Sequence, residues 1–249
     1  MDKKAIYTAG TTAACRFAAQ YLRSLGLVIA DSPGQHCGYL LLDVPSFGAD
    51  GLLRSGERMQ TFLSQLPADI LICGGNLSHP SLDGYRTIDF LRDERYLCEN
   101  AYITAECALD VAFPYLPRTI RGCPILIVGW GRIGKCLGQL LRVMGADVTI
   151  AARNPAHRAM IHAMGYQTAD PAALDTSHYR LLFNTVPAPV LDRAQMDCCK
   201  ESCIKIELAS ADGMDGEDIV IARGLPGIHM PESSGELIAE TFLRLCYGR

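Results

Sequence analysis

Residues 125–134, Ile-Leu-Ile-Val-Gly-Trp-Gly-Arg-Ile-Gly, restrict what this chain can fold into more than any other stretch. Ile125 to Val128 have the length and composition of a buried strand. They run directly into Gly129-Trp130-Gly131-Arg132-Ile133-Gly134. Beyond that turn Ile133, Leu137, Leu140, Leu141 and Met144 recur at helical spacing, Gly145 supplies a stop, and Asp147 to Ala151 form a second strand. Strand, glycine-rich turn, amphipathic helix and strand within about thirty residues make a βαβ unit. In such a unit the first glycine permits the sharp turn, the second lets backbone approach a pyrophosphate, and the third packs helix against strand. Phosphates then meet the N–H groups at the helix N-terminus. Gly129, Trp130, Gly131, Arg132, Ile133 and Gly134 are therefore candidate contacts to a dinucleotide.

The rest of the chain supports two α/β units. Ahead of the glycine turn, strands are expected at 5–8, 27–30, 39–44 and 70–73, with helices after Gly10-Thr11-Thr12 and around Met59 to Leu66. Alternating strands and helices imply a parallel sheet. The Gly10-Thr11-Thr12 turn reads as a helix start in preference to an anion site. A connecting helix is expected from Asn100 to Leu116, ended by Pro114 and Pro117. After residue 151 the pattern gives a helix near 156–164, a short strand near Tyr166, and strands at 180–186, 204–208 and 219–222. Gly224-Leu225-Pro226-Gly227 is expected to turn, and a last helix covers 234–246. The expected architecture is two open parallel-sheet domains: a flavodoxin-like substrate domain (1–98), a linker helix (99–121), a Rossmann domain (122–231) and a C-terminal helix (232–249).

Ligands of such sheets lie beyond the carboxyl ends of the strands. That places Asn184, Thr185, Val186 and Pro187, with Leu208, Ala209 and Ser210, along the nicotinamide end of a cofactor. At the end of the second strand, where an NAD site carries a carboxylate for the ribose, this chain has Ala151-Ala152-Arg153-Asn154. A carboxylate repels a 2′-phosphate and an arginine fork matches one. Arg153 and Asn154 thus favour NADP, with NAD as the alternative, and His157 and Arg158 stand close enough to assist. Glu106, on the connecting helix, and His229, after the Gly-Leu-Pro-Gly-Ile turn, are the acid–base candidates for the proton that accompanies a hydride.

Charge excludes other classes. With 27 acidic and 23 basic residues the net charge is −4, which offers no footprint for nucleic acid or an anionic membrane. No apolar stretch approaches the roughly 20 residues of a membrane span, and Met1-Asp2-Lys3-Lys4 leads into a strand instead of a leader core. A cytoplasmic protein is expected. The 11 cysteines are odd in number and scattered through helices and strands, so free thiols are expected. Cys198, Cys199 and Cys203 lack zinc spacing, and no metal site is expected.

Several of these motifs occur together in one family. Val128 to Gly134, Ala151-Ala152-Arg153, Ala156-His157, Asn184 to Pro187, Leu208-Ala209-Ser210, and Gly224 to Ile228 through Pro231 and Gly235 stand in the order seen in the A subunit of dipicolinate synthase. Asn100, Thr104 and Glu106 also resemble that family, and the resemblance covers about residues 90–249. It implies a two-domain NAD(P)-dependent oxidoreductase that converts a dihydro- or hydroxytetrahydro-dipicolinate to dipicolinate. It further implies a partner, a flavoprotein-like B subunit, together with a role in sporulation. Hydroxyls of Thr185 and Ser210 would meet the substrate carboxylates. This chain departs from the family after Ser210, where Ala211-Asp212-Gly213-Met214-Asp215 replaces an arginine and a glycine-rich turn, and its first 90 residues are shorter than expected. More distantly, the cofactor half is similar to D-2-hydroxyacid dehydrogenases, which share the Gly-x-Gly-Arg-Ile-Gly turn. A dehydrogenase of another small carboxylate, and a non-catalytic NADP-binding scaffold or sensor, are the competing expectations. By analogy with two-domain dehydrogenases, a homo-oligomer is expected.

Overall fold

The computed structural model describes residues 4–248; Met1 to Lys3 and Arg249, and with them most of the start expected to lack a leader, lie outside the described residues. The chain divides into two compact units, one of residues up to Asn100 together with those from Pro226, the other Ala101–Leu225. Each has its own parallel sheet.

In the first unit β1 (Ala5–Thr8), α1 (Ala13–Ser24), β2 (Ile29–Ala30), β3 (Cys37–Leu41), α2 (Met59–Leu63), β4 (Leu71–Gly74) and β5 (Arg86–Asp89) build a sheet of order β2-β1-β3-β4-β5. This is the flavodoxin-like order. Its core gathers Leu40, Leu42, Phe47, Met59, Phe62, Ile70 and Ile72. β2 is shorter than expected because the Leu27 N–H bonds back to the Leu22 carbonyl and extends the helix end. β5 has no counterpart among the expected strands: Arg86 and Thr87 are exposed on the edge of the sheet and carry no apolar alternation.

The Gly10-Thr11-Thr12 turn is a helix start, and its acceptor is internal. Buried Asp43, beyond β3, takes the Thr11 N–H (3.0 Å), the Thr12 N–H (3.1 Å) and the Thr12 hydroxyl (2.5 Å), while the Thr12 hydroxyl oxygen caps α1 by accepting from the Cys15 N–H (3.2 Å).

From this unit the chain leaves along α3 (Glu94–Ala112). The helix begins six residues earlier than expected because the Asp93 carboxylate accepts the Tyr96 N–H (2.8 Å) and caps it. The chain returns through α7 (Leu225–His229) and α8 (Pro231–Tyr247). The expected turn at 224–227 is confined to Gly224, with φ +64°; Leu225 then opens a helix, in whose first turn Pro226 loses nothing by lacking an N–H. α8 lies in backbone contact with α1. A Cβ on Gly235 would stand 2.5 Å from Phe17 Cβ and 2.6 Å from the Ala14 carbonyl. Further along, Tyr39 meets Phe242 edge-on at 5.3 Å, and Arg244 grips Asp93 (2.7 Å). That arginine holds the Asp93 carboxyl below the usual carboxylate range. The pair contributes stability that is present above the unfolded-state value of about 4 and is lost as pH falls through the lower folded value.

The second unit holds β6 (Pro124–Val128), α4 (Arg132–Val143), β7 (Asp147–Ala151), α5 (Pro155–Ala163), β8 (Gln167–Ala169), β9 (Leu181–Asn184), α6 (Arg193–Asp197), β10 (Ile204–Glu207) and β11 (Ile219–Ile221). All six strands are parallel, in the order β11-β10-β9-β6-β7-β8. This is the Rossmann order, and the strand sequence reverses between β6 and β9. Ile125 to Val128 are fully buried in the centre, as a strand covered on both faces requires. All 11 cysteines are free.

Replacing Asp43 by Ala strands two backbone donors and a hydroxyl at the start of α1. We expect a loss of about 2 kcal/mol in the urea unfolding of the first unit.

Candidate functional site

The three glycines of the turn carry three different constraints. Gly129 has φ +111°, and a Cβ there would collide with the Thr185 hydroxyl oxygen. A Cβ on Gly134 would collide with the Gly129 carbonyl oxygen, so helix and turn touch through backbone. Around Gly131 a Cβ would meet nothing within 4 Å. The second glycine therefore leaves clear the approach that a pyrophosphate needs. Gly131 is also the N-cap of α4 and provides no side-chain acceptor, which leaves the first-turn N–H groups available to an anion.

Strand register brings the flanking residues to the same level: Val128, closing β6, pairs with Ala151 of β7 and Asn184 of β9. Beside this edge a pocket of about 350 Å³ is lined by Gly129, Trp130, Gly131, Ala152, Arg153, Asn154, His157 and Val186. Arg153 is exposed, and its guanidinium makes no hydrogen bond or ion pair among the described residues. Arg158 differs: it donates to the Ala152 (2.7 Å) and Arg153 (2.8 Å) carbonyls and pairs with Asp170 (3.1 Å). It holds the strand end in place, while Arg153 stays exposed at the pocket. Asn154 caps α5 through the Ala156 N–H (2.9 Å). Trp130 lies edge-on to Tyr166 at 6.1 Å, with the Lys135 ammonium 5.7 Å from its ring.

Sequence reasoning missed Glu207. This carboxylate closes β10, is 1% exposed, and faces no cation among its bonded neighbours. It accepts from the Asn184 amide (2.7 and 3.0 Å), the Ala209 N–H (3.1 Å) and the Gly213 N–H (2.9 Å). Asn184 in turn accepts the Val186 N–H (3.0 Å) and donates to the Val186 carbonyl (3.0 Å). Both loops at the carboxyl edge are thereby fixed. The signal was present in the sequence as an acid set between Ile206 and Leu208 at the end of a strand. Leu208 and Ala209 are buried behind this knot, and Ser210 is exposed.

The Thr185 hydroxyl, expected to meet a substrate carboxylate, donates to the Val128 carbonyl (2.9 Å). Arg223, also missed, donates to the Ala209 carbonyl (2.8 Å) and pairs with Asp212, placing a cation beside Ser210. Glu106 is half-buried on α3 and is not among the residues that line the pocket. His229 is exposed at the end of α7, and the chain division assigns it to the first unit. Among the described residues no group of three or more His, Cys, Asp or Glu could hold a metal ion.

A Rossmann unit with an open glycine turn, in a chain whose other unit has the flavodoxin-like order, defines a two-domain α/β fold of the kind seen in dehydrogenases. Comparison with known proteins agrees. No family model matches the sequence. The A subunit of dipicolinate synthase from Bacillus subtilis (strain 168) is 24% identical over 239 residues, 87% of this chain and 80% of that one. The solved structure of the Bacillus subtilis protein superposes with a TM-score of 0.81 at 20% identity, covering 100% of this chain and 97% of the other. Its counterpart from Bacillus halodurans gives 0.80 at 18% identity over 98% of each. A transhydrogenase from Sinorhizobium meliloti gives 0.71 at 14% identity over 97% and 93%. The resemblance read from the motifs thus has a counterpart in sequence, and the fold likeness extends through the first 90 residues.

The glycines separate folding from binding. Gly134→Ala forces a methyl onto a backbone carbonyl and should cost about 2 kcal/mol. Gly131→Ala should leave thermal unfolding within about 0.5 kcal/mol of the parent protein.

Proposed function

We propose that this chain is a cytoplasmic NADP-dependent oxidoreductase of dipicolinate-synthase type. It would oxidise a dihydro- or hydroxytetrahydro-dipicolinate to the aromatic dicarboxylate, in company with a second, flavoprotein-like subunit. The observation that carries the reading is the open approach over Gly131, at the uncapped start of α4, flanked by unpaired Arg153. These residues fit a dinucleotide: the α4 amides take the pyrophosphate, and Arg153 and Asn154, with His157 beside them, take the 2′-phosphate end. When bound, the nicotinamide supplies a two-electron hydride acceptor.

The protein's own groups supply orientation and proton handling. Glu207 and Asn184 hold the loops that bear Val186, Pro187, Leu208 and Ala209 against the nicotinamide end. Ser210 and Arg223 stand together in the second unit as donors to a substrate carboxylate. Arg223 supplies the positive group that residues 211–215 do not. Glu106 is the first candidate to accept the ring proton, with His229 second. The relative is named as one lettered component of a synthase, which supports a partner chain, and the homo-oligomer remains part of the proposal.

A second reading, a dehydrogenase of another small carboxylate, rests on Asp212 and Asp215 in the loop after Ser210, which repel a dicarboxylate more strongly than a substrate bearing a single charge. These acids line a neighbouring cavity of about 1000 Å³ that no arginine or lysine lines.

Titration with NADPH and NADH, followed by Trp130 emission, tests the cofactor assignment. NADPH should bind more tightly, and Arg153→Ala should weaken NADPH by about tenfold while leaving NADH unchanged. Tighter NADH binding overturns the 2′-phosphate assignment; binding of neither overturns the oxidoreductase reading. Turnover of a dihydrodipicolinate should fall about a hundredfold in Glu106→Gln with cofactor affinity retained, and turnover only on another carboxylate favours the second reading.

A further inference from the structure

Opposite the glycine turn, where β6, β9 and β10 begin at Pro124, Leu181 and Ile204, the second unit has a separate groove of about 420 Å³. Arg118, Arg121 and Arg180 line it together with Thr119, Ser202 and the buried Cys123, and no aspartate or glutamate does. None of the three guanidiniums makes a hydrogen bond or ion pair among the described residues. Several arginines elsewhere are paired: Arg95 with Glu99 (2.7 Å), Arg193 with Asp197 (2.9 Å), Arg158 with Asp170 (3.1 Å) and Arg244 with Asp93 (2.7 Å). Three unpaired cations converging on one carboxylate-free groove run against a net charge of −4. Like charges brought together raise one another's energy unless an anion joins them.

The backbone under these arginines is held. The Arg180 N–H bonds to the Pro124 carbonyl (2.9 Å) and the Arg180 carbonyl accepts from Ile204 (2.9 Å), so its side chain starts from the fixed amino end of β9. Arg121 precedes Gly122, which turns with φ +69° and donates to the Gly145 carbonyl (2.8 Å). Asp147, at the start of β7, acts on the Cys123 thiol electrostatically alongside Arg180, but it does not line the groove.

We propose that this groove is a binding site for a small polyanion, a molecule bearing two or more carboxylate or phosphate groups, distinct from the dinucleotide turn at the other end of the same strands. Guanidinium forks match both anion types in bidentate geometry, and three of them select for multiple charge over a single carboxylate. Thr119 and Ser202 add hydroxyl donors at the rim. An anion held there ties the segment after α3 to the amino edge of the cofactor sheet.

Sodium pyrophosphate and citrate, titrated separately into the full chain by calorimetry with Trp130 emission recorded in parallel, test the site. One or both should bind with a submillimolar constant and leave Trp130 emission unchanged, because that indole sits at the other end of the strands. Pyrophosphate alone would identify a phosphate ligand, citrate alone a carboxylate one. Arg180→Ala and Arg118→Ala should each weaken binding by about tenfold while leaving the melting temperature and NADPH affinity unchanged, since both side chains are exposed. No saturation by either ion at about 10 mM, affinity unchanged in both variants, or binding that shifts Trp130 emission and is competed by NADPH would overturn the proposal.

Discussion

A backbone N–H shut off from water must find an acceptor, and at several loops and helix starts this chain supplies a carboxylate. Asp43 receives the amides that open α1. Asp89 receives those of Asn76, Leu77 and Leu91, each at 2.9 Å. Asp93 caps α3, and Asp192 caps α6 in a reciprocal box with Gln195. Glu207 collects the amides of Ala209 and Gly213. Part of the acidic excess that the composition shows is therefore structural, placed at the carboxyl ends of strands and the starts of helices. α4, a helix of 12 residues, begins at a glycine with no acidic cap. α2 and α8 also begin without a side-chain cap and α5 begins at the neutral Asn154, so what sets the α4 turn apart is the clear approach over Gly131.

The same logic ties the glycine turn to a residue distant in sequence. A buried carboxylate without a cation is costly unless its oxygens are fully bonded, and Glu207 has four hydrogen bonds from three residues. One of those residues, Asn184, is held by its second contacts to Val186, so the loop after β9 cannot swing. Thr185, between them, is then fixed with its hydroxyl on the Val128 carbonyl, close enough to Gly129 that no side chain fits there. The first glycine of the turn is thus enforced from the protein side. A rigid turn of this kind holds backbone donors in place before any anion arrives, which lowers the cost of ordering on binding.

Whatever rested on periodicity and backbone stereochemistry was legible in the sequence. β6, α4 and β7 fall within a residue of their expected bounds because the apolar stripe and the flanking glycines each report the same geometry. β5 escapes such a reading, and β2 is two residues shorter than expected, because edge strands bury little and need no alternating pattern. The early start of α3 and the helix at Leu225 turn on single caps, Asp93 and Gly224, whose effect depends on local dihedral angles. The return of α8 to the first unit could not be read locally. Its apolar face specifies a partner surface, and only the close approach of Gly235 to Ala14 and Phe17 selects α1. Glu207, Thr185 and Arg223 illustrate the same limit at the site, since each acts through a partner between 11 and 57 residues away.

The arginines at the amino edge invite a structural explanation, because helix C-terminal ends also gather there and attract cations. Arg121 fits it in part: its side chain passes close to Gly145, just beyond the end of α4. That helix end, however, already has Arg142 in its last turn, and Arg142 also reaches across to the Met164 carbonyl (2.5 Å) at the end of α5. One or two exposed cations complement a helix terminus by about 0.3–1 kcal/mol each, and the benefit falls off within a turn. Arg118 and Arg180 stand on the segment after α3 and at the start of β9, neither of which is a helix terminus. Helix dipoles therefore explain Arg142 and contribute to Arg121, but they do not explain why three guanidiniums converge without a carboxylate among them.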